Sequence, residues 1–421
     1  MPSPLVQLPL IQNWSCHSCG GCCRKHLIEI TDEDRQKIVE QKWSPADGVD
    51  IPPVVWHAGP PWKKRYRLAH RADGACVFLD DKGLCRIHAK FGEPAKPLAC
   101  QVYPYALHPG GRKLALSLRF SCPSVVENKG RPVSLQVREL KRIAELTVPP
   151  TADQIPPPAI SPGVRVEWAD FHRFVNALDN TLAEPDVDLL TRILRAVFWV
   201  RLVSQSNFDV VKGNRLDEYL HIVSEAANNG IGELPTARRE PTRAGRLQFR
   251  MLAAQYSRVD TFDKAARGLR GRLRLLRAAL RFARGQGNVP PLHPGFGEVP
   301  FRRLEAAFGG LPPEADAMLT RYFRVKIQGL HFCGLAYYRV PFVEGFFSLA
   351  LVYPVVMWQA RWLAASESRE QITADDVARV LAITDHHHGY SPVLGTRSSR
   401  RRVRLLTHAD DLERLCCWYA R

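Results

Sequence analysis

The side chains best suited to chemistry in this chain are its cysteines, and they are unevenly placed: eight of the 11 lie between Cys16 and Cys122. Four of them form the run Cys16-His-Ser-Cys19-Gly-Gly-Cys22-Cys23. A two-residue spacer lets neighbouring thiolates curl back onto one centre. Gly20 and Gly21 allow backbone angles that a Cβ would block and let amide N–H groups point at sulfur. Three cysteines in register at this spacing occur in bacterial ferredoxin runs, whereas zinc sites usually take paired hooks from two places. The pattern therefore favours an iron–sulfur centre, most simply a 4Fe-4S cubane, with zinc as the alternative. Cys22 and Cys23 are adjacent, so their side chains are expected to diverge. Either one is structural, or each faces a different part of a larger centre.

The remaining cysteines of this region follow in Cys76-Val-Phe-Leu-Asp-Asp-Lys-Gly-Leu-Cys85, in Lys96-Pro97-Leu-Ala-Cys100-Gln-Val-Tyr103-Pro104 and in Ser121-Cys122-Pro123. The first reads as a hairpin around Asp81, Lys82 and Gly83 with a cysteine near each end. A proline after a ligand cysteine recurs in ferredoxin runs. The candidate metal ligands are thus Cys16, Cys19, Cys22, Cys23, Cys76, Cys85, Cys100 and Cys122, enough for two cubanes or for one with thiols in reserve. His17, His70, His88 and His108 lie in the same region as secondary candidates. Tyr103 and Tyr105 are placed to pack over a centre and limit water. His386, His387 and His388 read as a polar loop with one ring capping a helix end, and Cys416 and Cys417 as packing on the last helix.

These cysteine segments, with Cys76-Val-Phe-Leu, Gly83-Leu-Cys85-Arg-Ile, Lys96-Pro97 and Cys100-Gln-Val-Tyr103-Pro104, resemble the CxxCxxCC zinc- or iron-chelating (YkgJ-type) cysteine cluster family. The long form of that family, a cysteine-rich head followed by a helical body, is similar to flagellin lysine-N-methylase. The resemblance over the head covers roughly Trp14 to Pro123; over the body it is architectural only. It implies cluster-dependent transfer of a methyl group from S-adenosylmethionine to lysine side chains of a flagellin-like protein. Cys16, Cys19, Cys22, Cys23, Cys76, Cys85 and Cys100 carry over as ligands, with Cys122 a looser match. No G-x-G-x-x-G fingerprint follows a strand, and neither a P-loop nor the C-x-x-x-C-x-x-C run of radical enzymes is present. A methylase built this way would hold its cofactor at a site of another kind.

The elements that must position the cysteines are sparse. The head looks irregular, with a helix from a Thr31–Asp34 capping box to about Gln41, another over Ser134–Leu146, and a short strand at Lys113–Phe120. A stretch with six prolines, Pro149 to Pro162, reads as a linker or a surface strap. From Glu167 onward the apolar spacing is helical: Trp168 to Leu178, Leu189 to Val200, Leu216–Ala227, Leu247–Gln255, Phe262–Ala283, Pro313–Cys333, Phe342–Ala365 and a helix from Thr373 to about Ile383. The expected class is mainly α: a small, irregular cysteine-rich metal-binding head with few short strands (1–146), a Pro-rich linker (147–165) and a larger all-α body (166–421).

Composition sets the remaining bounds. A chain of 421 residues with 45% hydrophobic side chains can build a large core without metal or disulfide help, so a metal site calls for another explanation. Met1 to Trp14 lacks a basic n-region and is interrupted by Pro2, Pro4 and Pro9. The expected location is the cytoplasm, where cysteine clusters are more often metal or redox groups than disulfides. The uninterrupted apolar part of the Phe342–Trp358 stretch, Phe346 to Trp358, falls short of the ~20 residues a span needs, so a buried core helix is expected and no membrane span. Net charge is +17, with 14 Lys or Arg against three acids between Thr236 and Arg284, and a second cluster at Arg397, Arg400, Arg401, Arg402 and Arg404. Such patches suggest an acidic partner. Nucleic acid is the weaker reading and would need Arg238, Arg239, Arg243, Arg246, Arg250 and the Arg400–Arg404 group on one face. A non-catalytic zinc or iron–sulfur protein is the main alternative to an enzyme.

Overall fold

Helix takes up about 53% of the computed structural model of the protein and strand 9%, with small sheets in the N-terminal region and a larger helical body. The expected class stands. The description covers residues 5–7, 11–60, 62–231, 240–259, 269–408 and 410–421. Pro2, Pro4, Pro9, Arg238, Arg239 and the first turns of the helix expected from Phe262 lie outside it.

The head contains two small sheets. In one, Tyr105–Gly110 and Lys113–Leu118 form an antiparallel hairpin, and Leu5–Gln7 adds in parallel to its second strand. Its turn is the pair Gly111-Arg112, with Gly111 at φ 81° as a two-residue hairpin requires. In the other, Arg65–Leu68 lies between Glu29–Ile30 and Val54–Ala58. The expected strand forms over Lys113–Leu118, and Leu114 to Leu118 are all buried, so both of its faces are covered. The helix Pro313–Gln328 ends against this strand: a Cβ at Gly329 would stand 2.5 Å from that of Ser117.

Local signals set several boundaries. Thr31 accepts from the Asp34 amide and Asp34 from the Thr31 amide, which starts the helix Asp32–Glu40. The same box, Thr373 with Asp376, starts the helix Ala374–His387. Two expectations need correction and one is pared down. The hairpin around Asp81, Lys82 and Gly83 is minimal: Leu79 and Cys85 form one antiparallel bridge, the Asp80 amide donates to the Leu84 carbonyl and the Arg86 amide to that of Phe78, while Cys76 lies in a separate turn. The helix from Pro313 stops at Gln328, short of Cys333. The helix from Thr373 continues through His386 and His387, so the histidine run is its last turn and cap, not a loop.

One continuous apolar core joins the hairpin, through Tyr105, Leu116 and Phe120, to the body's Trp199, Trp358 and Trp362. The Pro-rich stretch straps across it, with the Ala159 and Ile160 carbonyls accepting from the amides of Phe342 and Val343. A small separate core of Ile38, Trp43, Val49, Leu68, Phe78 and Ile87 lies under the cysteine turns.

The apolar stretch becomes two abutting helices, Phe342–Ala350 and Val352–Ser366. Together they span 25 residues, long and apolar enough to cross a membrane by length and composition, and 89% of their most apolar window is buried inside the protein. Both charges near this stretch are answered internally. Glu344 accepts from Arg400 and Arg404. Arg361 is fully buried and donates to the backbone carbonyls of Leu304, Ala306, Trp418, Tyr419 and Arg421, which ties the C-terminus to the core.

Candidate metal centre

All eight cysteines of the head line one cavity of about 1180 Å³. They reach it from short elements. Cys16 and Cys19 sit exposed on a loop, and Cys22 and Cys23 belong to the five-residue helix Gly21–Lys25. Cys76 opens the turn that follows, and Cys85 precedes the helix Arg86–Phe91. Cys100 lies within Leu98–Val102, and Cys122 precedes Pro123–Val126.

The two main cysteine segments are held by backbone contacts. The Cys76 amide donates to the Cys23 carbonyl at 2.8 Å. The Asp80 carboxylate accepts from the amides of Lys82 and Leu84, closing the turn that brings Cys85 back. Gly83, at φ 81°, lets the turn touch the first loop: a Cβ there would lie 2.8 Å from the Ser18 carbonyl oxygen. Gly20, at φ 67°, supplies the left-handed residue before the helix that carries Cys22 and Cys23.

Seven of the thiols have another thiol as an electrostatic neighbour. Cys22, Cys23, Cys76, Cys85 and Cys100 influence one another, and Cys122 feels Cys19. The Cys22 and Cys23 sulfurs stand 3.9 Å apart, so these adjacent side chains do not diverge as expected and both face the cavity. Contact with Cys23, burial and the charge of Cys23 push the Cys22 thiol up. Burial, then the charges of Cys85 and Cys22, pushes Cys76 up to about 11. Cys100 is raised by burial and by Cys76, Cys85 and Cys22. Among the described residues, no three Cys, His, Asp or Glu side chains converge closely enough to form a ready metal-binding group. The donor set nevertheless fits a cationic centre. Five thiols share one partly buried space where each thiolate opposes the next, and a metal cation removes that opposition while favouring thiolate over thiol.

The opposite wall comes from the helical body. His386 and His387, near the end of Ala374–His387, line the cavity with Tyr390, Arg258 and His293. The His386 ring packs at a tilt 4.9 Å from that of His26, and the His26 ring packs at a steeper tilt 4.9 Å from that of Tyr103. Arg119 lies 3.7 Å over the Tyr390 ring and 5.7 Å from that of Tyr103. Behind this wall, Lys326 and Asp385 form an ion pair of 2.6 Å with no exposure on either side, and Asp385 also accepts from the Ser121 amide beside Cys122. Burial lowers the Lys326 amine, and Asp385 counteracts that.

His17 and His88 line the cavity as the sequence suggested. His70 instead reaches the His26 carbonyl, and the half-buried His108 packs against the His331 ring. Tyr103 lines the cavity, whereas Tyr105 turns into the core and donates to Gln136. Cys333, Cys416 and Cys417 are packed in the core. Sequence reasoning passed over His26, although it lies three residues beyond Cys23. Arg119 and Tyr390 had no local signal, because the fold alone brings a strand end beside a loop of the body.

Residues 15–123 match the CxxCxxCC family model, described as a zinc- or iron-chelating domain. The match takes in all eight cavity cysteines and ends one residue past Cys122. Comparison with curated proteins gives no match, and comparison with solved structures gives none.

Proposed function

We propose that the protein is an iron–sulfur enzyme whose cysteine head holds a cluster, probed by a substrate that enters between head and body. The reaction is methyl transfer from S-adenosylmethionine to lysine side chains of a flagellin-like protein, in the reducing cytoplasm. The observation that carries this reading is the shape of the site. A structural zinc centre is closed over four ligands with no adjoining cavity. Here the cysteines open onto a cavity of about 1180 Å³ that continues to His386, His387 and Tyr390 of the body.

In this reading Cys22, Cys23, Cys76, Cys85 and Cys100 hold the main centre, with Cys16, Cys19 and Cys122 at its outer edge. A cluster would supply a Lewis-acidic or redox-active iron at the cavity floor. The chain's own residues do the rest. Tyr103 and Tyr390 cover Arg119 and restrict water at the back of the cavity. Glu139 and Glu93 line the cavity on the head side. Burial, with the Glu93 charge adding to it, raises the Glu139 carboxyl and makes it a better proton acceptor. A lysine must lose its ammonium proton before it can take a methyl group, and in this reading Glu139 receives it.

The test is anaerobic purification with iron, sulfide and zinc analysis and a visible spectrum, followed by assay of labelled methyl transfer to flagellin. A brown protein with about four iron and about four sulfide per chain is the expected result. A colourless protein holding stoichiometric zinc after anaerobic reconstitution would replace the cluster with a zinc-chelating, non-catalytic role. A cluster-loaded protein that transfers no methyl group would remove the methylase and leave the metal centre.

A further inference from the structure

The helix Leu269–Arg284 plays no part in the cavity, and its surface is unusual for a helix packed on a core. It carries six arginines and no acid: Arg270, Arg272, Arg274, Arg277, Arg281 and Arg284. All six are exposed. Gly271, Ala278 and Phe282 form the buried side, and Arg250 of the neighbouring helix Arg243–Tyr256 donates to the carbonyls of Phe282 and Ala283, which anchors the C-terminal end. On the opposite side stand Leu269, Leu273, Leu276 and Leu280, between 47% and 86% exposed.

The spacing of these leucines makes one ridge. At 100° per residue they fall within a sector of about 60°, pointing directly away from the buried side, and they extend for about 16 Å along the axis. Five arginines flank the ridge on one side and Arg272 on the other. Leucine is ordinary in a helix core, but four in line toward solvent are not explained by folding, because nothing in the core gains from them. An apolar ridge with a row of guanidinium groups along one flank and Arg272 on the other matches the boundary of a bilayer, where leucines enter the acyl region and arginines meet phosphates. The charge decides between occupants. Helix charges of one sign, on a chain of net +17, fit an extended anionic sheet of headgroups.

We infer that the helix Leu269–Arg284 is a peripheral docking surface for anionic phospholipid membranes, with the Leu269–Leu280 ridge inserted and the arginines on headgroup phosphates. This does not depend on the metal centre.

The experiment is co-sedimentation of the full metal-loaded chain with phosphatidylcholine vesicles, with and without phosphatidylglycerol. Binding is expected to be about tenfold or more stronger on the anionic vesicles and to weaken with salt. The variant L273Q/L276Q/L280Q is expected to lose about tenfold of that binding while keeping its circular dichroism and metal content, because all three side chains are exposed. Absence of binding to anionic vesicles would overturn the inference. So would equal binding by the variant, which would mean adsorption by overall charge alone. Leucine-dependent binding of an acidic amphipathic peptide without vesicle binding would reassign the ridge to a protein groove.

Discussion

The head and the body of this protein are organised by different means. In the body, large side chains such as Trp199, Trp358 and Trp362 are fully buried in one continuous core. Several of its buried polar side chains are tied to one another or to the backbone: Gln359 bridges Ser257 and Thr384, and the Arg361 terminal nitrogens donate to carbonyls. In the head, eight cysteines sit on turns and helices of four to six residues over a much smaller core. Helices that short are not stable by themselves. The difference teaches that burial fixes the body, whereas the head relies on contacts between loops and on whatever its thiols bind.

Four experiments would break or sharpen that contrast. The largest effect is expected from the inner cysteines. Cys76→Ala or Cys100→Ala should abolish metal binding, and Cys16→Ala should retain most of it, as read by metal analysis. Far-ultraviolet circular dichroism should stay near the wild-type level in all three, because the helices lie mainly in the body. Loss of helicity in the Cys76 or Cys100 variants would show that the body depends on the centre.

Next is the buried ion pair of the body, Lys326 with Asp385, which meets the head through the Leu118 carbonyl and the Ser121 amide. Asp385→Asn leaves Lys326 buried without its counter-charge, and a cost of about 3–5 kcal/mol is expected in urea unfolding. The double variant K326M/D385L should recover much of that loss. Equal loss in both variants would show that the pair positions the head rather than merely neutralising charge.

The third is pH dependence. Burial and the nearby Lys326 hold His108 down to about 3, and His331 and His388 are also held well below the usual histidine range, chiefly by burial. Unfolded, each takes a proton near pH 6.5. Below that pH the unfolded chain binds protons that the folded chain does not, so stability is intact above about 6.5 and falls as the pH falls. The slope is about 1.4 kcal/mol per pH unit for each such histidine. Denaturant titrations between pH 7 and 5 would measure it, and a flat profile would refute it.

The smallest effect is expected at Gly83. Gly83→Ala introduces strain at φ 81° and a Cβ 2.8 Å from the Ser18 oxygen. A loss of about 1–3 kcal/mol in thermal unfolding, with weakened metal retention, is expected because the Cys85 turn must move from the Cys19 loop.

Much of this was legible beforehand where the signal is local. Thr31 and Thr373 announced their helices because a capping box is complete within four residues. The cysteine run announced a metal-binding head because thiolate spacing is a property of the chain itself. The misreadings lie where distant segments decide. The helix expected from Pro313 to Cys333 stops at Gln328, where Gly329 packs closely on Ser117 of the strand Lys113–Leu118. The histidine run read as a polar loop, yet His386 and His387 close the helix Ala374–His387, and the buried Tyr256 hydroxyl meets His388.

By itself, then, the sequence determined which thiols are candidates for metal, where several of the longer helices begin and that a large apolar core exists, since these follow from side-chain chemistry and short-range backbone geometry. Only the tertiary structure decided that the eight cysteines share one cavity, that His26, Arg119, His386 and Tyr390 join them, and that Glu344 and Arg361 are answered by Arg400 and by backbone carbonyls. Those outcomes depend on which distant surfaces exclude water together, and no local pattern encodes that.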